Sequence, residues 1–178
     1  MEWQNLLFAS RVTENREAFC KKVLDVSDRL GINPDWLMAV MYKESGLNAA
    51  AYNAQGGAVG LIQFMPATAA ALGVTSDVMR RLSNLAQLDY VYKYYYPYKG
   101  RLNSYPDLYL ATFFPRALGW ADERVIESGT LSATTIACQN PAIDMDKNKQ
   151  ITVGEFRAYC YKGFSADVVE RLKKKAVR

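Results

Sequence analysis

Histidine is absent from the 178 residues. That excludes Ser-His-Asp and Cys-His catalysis in their usual form, and it excludes zinc held by imidazole. Cysteine is scarce: Cys20, Cys138 and Cys160 are three residues at long, irregular spacings. An odd number so placed reads as buried thiols of a reducing compartment, with a Cys138–Cys160 bridge as the alternative. No apolar run is long enough to span a membrane. The N-terminal MEWQNLLFASRVTENRE lacks both the basic and the apolar region of an export signal. No basic stretch with interleaved aromatics marks a nucleic-acid site.

What remains is a chain that can fold around a core. Half of its residues are hydrophobic. Its length suits one good core, or one core with a small appendage. The net charge of +4 suits an anionic polymer as partner. Helical spacing runs throughout. Thr13 reads as the cap of a first helix carrying Phe19, Val23, Val26 and Leu30 and stopping at Gly31. Pro66-Ala67-Thr68 opens a short helix that ends at Gly73. The spacing predicts one helix from Ser76 to Tyr96, with Leu82, Leu85, Leu88 and Tyr92 on one side and Pro97 as its stop. Ser104-Tyr105-Pro106 starts another. A final helix is expected over 165–178, its lysines suiting a helix C-terminus.

The stretch from Leu37 to Pro66 holds the chemistry. Asn33-Pro34 is a helix start, with Asn as cap and Pro at the first position. Leu37, Val40 and Met41 form an apolar stripe whose next position is Glu44. Gly46 is a C-cap, so Glu44 falls in the last turn. Burial and the negative end of the helix dipole both disfavour a charged carboxylate there. A glycosidic bond needs such an acid, because the leaving oxygen must receive a proton. The plainer alternative is a surface Glu at a frayed helix end, beside Lys43. Beyond it, Gly56, Gly57 and Gly60 let the backbone approach a ligand closely; otherwise they make a turn between helices.

Glu44-Ser45-Gly46, Asn48, Gly56-Gly57-Ala58-Val59, Gly60-Leu61-Ile62-Gln63-Phe64-Met65-Pro66 and Ala67-Thr68-Ala69 closely resemble the lytic transglycosylase (SLT) family of the lysozyme superfamily. The resemblance is nearly continuous from about Asn33 to Gly73. It implies cleavage of the bond between N-acetylmuramic acid and N-acetylglucosamine in peptidoglycan. One Glu serves as acid and then base, and the muramoyl C6 hydroxyl closes on C1 to give a 1,6-anhydro product. Carried over, Glu44 is catalytic. Ser45, Gly60, Ile62, Gln63, Phe64, Tyr109 and Phe113 form the substrate-binding set, with Gln63 the foremost polar contact. No cofactor is implied for catalysis.

One departure stands out. The family usually shows Ala-Tyr-Asn-Ala-Gly, its Tyr contacting the acid, where this chain has Ala111-Thr112-Phe113-Phe114-Pro115. Either Tyr109 or a tyrosine in 90–98 replaces it, or burial alone holds the acid. A wall enzyme without an export signal needs another route: release at lysis, transport in a virion or injection machine, or excision from a larger chain. The Phe-Phe-Pro form resembles phage-borne and tail-associated members, which would fit such a route. Asp89, Asp107 and Glu123 have no spacing that sets them opposite Glu44.

After Gly129 the character changes. Asp144, Asp146, Asn148, Gln150 and Glu155 resemble an EF-hand loop, with Gln150 contributing its backbone carbonyl. That implies a structural calcium ion. Lys149 stands where the loop normally has Gly, and Asn140-Pro141 interrupts the entering helix. The alternative is metal-free: Thr152 and Glu155 form a capping box. The expectation is an all-α chain, with a lysozyme-like SLT domain over 1–129 and a small helical EF-hand-like segment over 130–178. Peptidoglycan glycan strands are its substrate. A hydrolytic muramidase of goose-type-lysozyme kind and a non-catalytic wall-binding module are the rival readings.

Overall fold

Asn33-Pro34 opens the helix around which the N-terminal half is packed. In the computed structural model, which describes residues 1–175, this helix spans Pro34–Ser45. It is preceded by α1, Arg16–Leu30, and so is α2. The Asn33 side chain accepts a hydrogen bond from the Asp35 amide at 3.0 Å, satisfying one of the donors a helix start leaves unpaired. Every residue from Asp35 to Met41 is buried. A helix buried on all sides is a core helix, and α1 packs along it. Asp35, the one charged residue in that run, accepts from the Leu7 amide at 2.9 Å and so ties the N-terminal segment to the core.

The first helix begins later than the sequence suggests. Asn15, not Thr13, occupies the cap position, with φ 48°, and makes no side-chain cap bond. Its amide instead donates to Asn84 Oδ1 at 3.2 Å, and Asn84 in turn donates to the Glu14 carbonyl at 2.7 Å. Tertiary bonding between two helix starts thus replaces the local cap. The stop at Gly31 is as read, with φ 73°.

The helix expected over Ser76–Tyr96 is two. After α3, Pro66–Ala71, come α4, Ser76–Arg81, and α5, Asn84–Tyr95. Leu82 is extended, and Ser83 caps α5 by accepting from the Ala86 amide at 3.2 Å. This break resets the helical register. The buried face of α5 is Asn84, Gln87, Leu88, Val91 and Tyr95, not the expected line through Leu82, Leu85 and Tyr92. Two serine and threonine caps (Thr75 for α4, Ser83 for α5) outweighed an apolar period that runs through both helices.

The chain forms two compact units. The first is Met1–Gly100 joined by the segment that starts at Lys174; the second is Arg101–Lys173. The division thus falls at Gly100, whereas the sequence reading sets it after Gly129. The second unit holds α6, Tyr105–Phe113; α7, Ala133–Gln139; α8, Val153–Tyr161; and α9, Ala166–Lys173. Residues 101–129 join it through specific bonds. Asp107 pairs with Arg157 at 3.0 Å. The Ile126 amide donates to Ile151 O at 2.8 Å, and the Val153 amide donates to Arg124 O at 3.0 Å.

Helices dominate, and among the described residues the only β features are isolated bridges, so the all-α expectation holds. No described helix is long and apolar enough to cross a membrane. None of the three cysteines is in a disulfide; Cys20 and Cys160 are buried, but Cys138 is exposed. The last helix ends at Lys173, and residues 176–178 of the expected tail helix lie outside the described residues. Because Asn33 both caps α2 and donates to Lys174 O at 3.1 Å, Asn33→Ala is expected to lower unfolding stability by about 1–2 kcal/mol, read by denaturant titration.

Candidate active site

Glu44 sits in the last turn of α2 and is part-buried. The stripe of core residues stops at Met41, so the carboxylate stands where the buried helix comes to the surface. Gly46, at φ 63°, turns the chain out of the helix. The Gly46 amide returns to Tyr42 O at 2.9 Å and the Leu47 amide to Met41 O at 3.2 Å, the paired bonds of a glycine-closed helix end.

Ser45 is bonded on two sides. Its hydroxyl lies 3.0 Å from Met41 O, in its own helix, and 2.9 Å from Leu61 O. The second contact ties the end of α2 to the glycine-rich loop. That loop is a tight hairpin: Val59 and Phe64 exchange amide-to-carbonyl bonds of 3.0 and 2.7 Å. Val59 also bridges to Tyr52, so three short extended passes lie side by side. Gly60 has φ 78° and Gln63, without glycine's freedom, has φ 54°. Gln63 Nε2 donates to Gly60 O at 3.1 Å, which holds the turn closed. Ile62 and Phe64 are each 2 % exposed. Their side chains are core, and what Ile62 has to offer a ligand is backbone.

Gln87 escapes a reading by apolar period. It is fully buried on α5. Its Oε1 accepts from the Leu61 amide at 2.9 Å, and its Nε2 donates to Ala49 O at 2.6 Å and Met79 O at 2.8 Å. One amide therefore binds both flanks of the loop and α4. The signal available in the sequence is a polar residue one turn after Asn84 and next to Leu88; recognising it requires the register that the break at Ser83 sets. Gly60 fits against this amide: a Cβ there would lie 2.4 Å from Gln87 Oε1.

Tyr94, one of the tyrosines in 90–98, meets the loop. It lies on α5, and its ring meets Phe64 edge-on at 6.2 Å and Tyr98 at 6.1 Å. Burial pushes its phenol well above the usual tyrosine range, and the neighbouring Tyr98 and Glu44 charges push it the same way. So Glu44, Ser45, the 60–64 loop and Tyr94 close a circuit within the first unit.

Tyr109 and Phe113 are on α6 in the second unit. There Phe113 stacks on Phe156 at 4.8 Å, and Tyr109 meets the same ring edge-on at 5.6 Å. Asp89 pairs with Lys22 at 2.8 Å, and Asp107 with Arg157. In the 144–155 loop, carboxylate oxygens of Asp144, Asp146 and Glu155 lie within 4.8 Å of one another. Those three could hold a cation. Asn148 bonds back to Asp146, its Nδ2 donating to Oδ2 at 2.8 Å.

Two outcomes follow. Gly60→Ala is expected to cost about 2–4 kcal/mol, from left-handed strain plus displacement of the buried Gln87 amide, measured by urea unfolding. A phenol raised in the folded state contributes its full stability below the unfolded value of about 10 and loses it as pH climbs above that. Tyr94→Phe is therefore expected to lose less stability than the parent above about pH 10, in the same unfolding assay run as a pH series.

Residues 23–98 match the family model described as the Transglycosylase SLT domain. The match lies wholly inside the first unit and takes in Glu44, Ser45, the 60–64 loop, Gln87 and Tyr94. No solved structure matches the chain.

Proposed function

With residues 23–98 forming an SLT domain of the lysozyme-like superfamily, we propose that this protein cleaves the MurNAc-β-1,4-GlcNAc bond of peptidoglycan with Glu44 as sole acid and base. At family level, the domain supports lytic transglycosylase activity on peptidoglycan. The observation that carries the finer reading is the circuit around Glu44: a part-buried carboxylate at a helix end, tied through Ser45 to the hairpin loop, with Tyr94 in its field.

The reaction proceeds in two proton transfers. Protonated Glu44 gives its proton to the glycosidic oxygen as the bond to C1 breaks and positive charge builds on the muramoyl ring. The resulting carboxylate stabilises that charge. It then takes the proton of the C6 hydroxyl as this oxygen attacks C1, leaving a 1,6-anhydro ring and a regenerated acid. Tyr94, kept as a neutral phenol, supplies a hydroxyl beside the acid that the chain lacks at Phe113 and Phe114. The hairpin offers backbone groups to sugar hydroxyls and acetamides. No second carboxylate enters, which separates this reading from an inverting hydrolase, where a base must hold water across the cleft.

Mass analysis of fragments released from purified peptidoglycan is the test. The parent protein is expected to release muropeptides one water lighter than muramidase products. Glu44→Gln is expected to lose activity by about a hundredfold to ten-thousandfold, the usual share of general acid–base catalysis. Hydrated reducing ends would make the enzyme a muramidase and overturn the anhydro step; undiminished release by Glu44→Gln would remove Glu44 from its role.

A further inference from the structure

Glu155 uses one carboxylate oxygen and leaves the other idle. Its Oε2 accepts from the Thr152 amide at 2.9 Å and from Thr152 Oγ1 at 3.0 Å, while the Glu155 amide donates back to Thr152 Oγ1 at 3.1 Å. This is the capping box that starts α8. Oε1 is buried with no partner. Asp144 repeats the pattern. The residue is 9 % exposed; Oδ2 accepts from the Lys149 amide at 3.1 Å, and Oδ1 is buried and unpartnered. Asp146 completes the cluster, its carboxylate shaped by Asn148, whose amide donates to Oδ1 at 3.0 Å.

Three like charges within 4.8 Å repel one another. A buried acceptor without a donor is costly as well. No lysine or arginine forms an ion pair with any of the three among the described residues. A cation satisfies both conditions at once: it neutralises the cluster and gives the two idle oxygens a partner. An all-oxygen donor set with several carboxylates suits a hard divalent ion of calcium's size. Lys149 does not block the turn, since its backbone takes φ 66°, the left-handed conformation glycine would supply. The capping box and the cation site are therefore not rivals, because they use different oxygens of the same side chain.

We propose that Asp144, Asp146 and Glu155 bind one calcium ion, and that the ion fixes the start of α8 so that Phe156 holds Phe113 and Tyr109 of α6 in place. The link is direct. Phe156 follows Glu155, stacks on Phe113 and abuts Tyr109. Arg157, next in line, pairs with Asp107 of α6. This inference stands apart from the catalytic reading and does not depend on it.

The test uses the full chain freed of metal by chelation. Adding calcium chloride at about a hundred times its Kd is expected to raise Tm by about 5–10 °C, with one ion bound per chain by calorimetry. Matched sodium chloride is expected to leave Tm where it was. Glu155→Gln keeps the capping box, since Gln serves at that position. It is expected to melt at or above the parent in chelator, because one of the repelling charges is gone, yet to lose the calcium response, as is Asp144→Asn. Amides of 108–113 and 156–160 are expected to exchange at least about tenfold more slowly with calcium than without. Absence of a calcium response, a magnesium response as large as calcium's, or an undiminished response in Glu155→Gln would overturn the site. Protection confined to the 144–155 loop would overturn the link to α6.

Discussion

A single buried amide organises the first unit of the molecule. Gln87 accepts from Leu61 and donates to Ala49 and Met79, so both arms of the glycine-rich loop and the end of α4 meet at one side chain. A polar group this deep is tolerated because both of its ends are satisfied, and removing it would take a hydrogen bond from backbone groups of three segments. It also makes Gly60 obligatory, because a Cβ would collide with Gln87 Oε1. The hairpin's shape depends on α5 as much as on its own turn residues.

Around that amide the site is assembled from parts that each do a second, structural job. Ser45 closes the last turn of α2 and holds Leu61. Phe64 fills the core and gives Tyr94 its edge contact. Burial then keeps the Tyr94 phenol neutral beside the Glu44 charge. In our reading a hydroxyl from α5 does for the acid what a tyrosine further along the chain does in related sequences. A phenol carried on the helix that also bears Gln87 is held by the same packing that holds the loop.

The second unit works by a different economy of atoms. Glu155 caps α8 with one oxygen and leaves the other buried without a hydrogen bond, in a cluster with Asp144 and Asp146. Residues 101–129 join this unit because Asp107, Arg124 and Ile126 bond to Arg157, Val153 and Ile151. Nothing local in 101–129 announces that allegiance, and the change in composition after Gly129 draws the eye to a boundary that the packing does not follow.

Much of the fold was legible because its signals are local. Asn33-Pro34, Gly31, Gly46, Ser104 and the Thr152–Glu155 box each act within a few residues, and each starts or stops a helix where the sequence says. Glu44 was legible too, since helical period and a glycine stop place it without reference to the rest of the chain. What the sequence alone determined, then, is the set of helices near strong caps, the place of Glu44 at a helix end, and the acidic loop. Tertiary structure decided which face of α5 is buried, that Asn15 bonds to Asn84 instead of capping α1, that Gln87 is the loop's anchor, and that Tyr94 is the tyrosine beside Glu44. The physical reason is range: a cap is satisfied by the next turn of backbone, whereas a buried amide or phenol is defined by partners up to dozens of residues away, which only packing brings together.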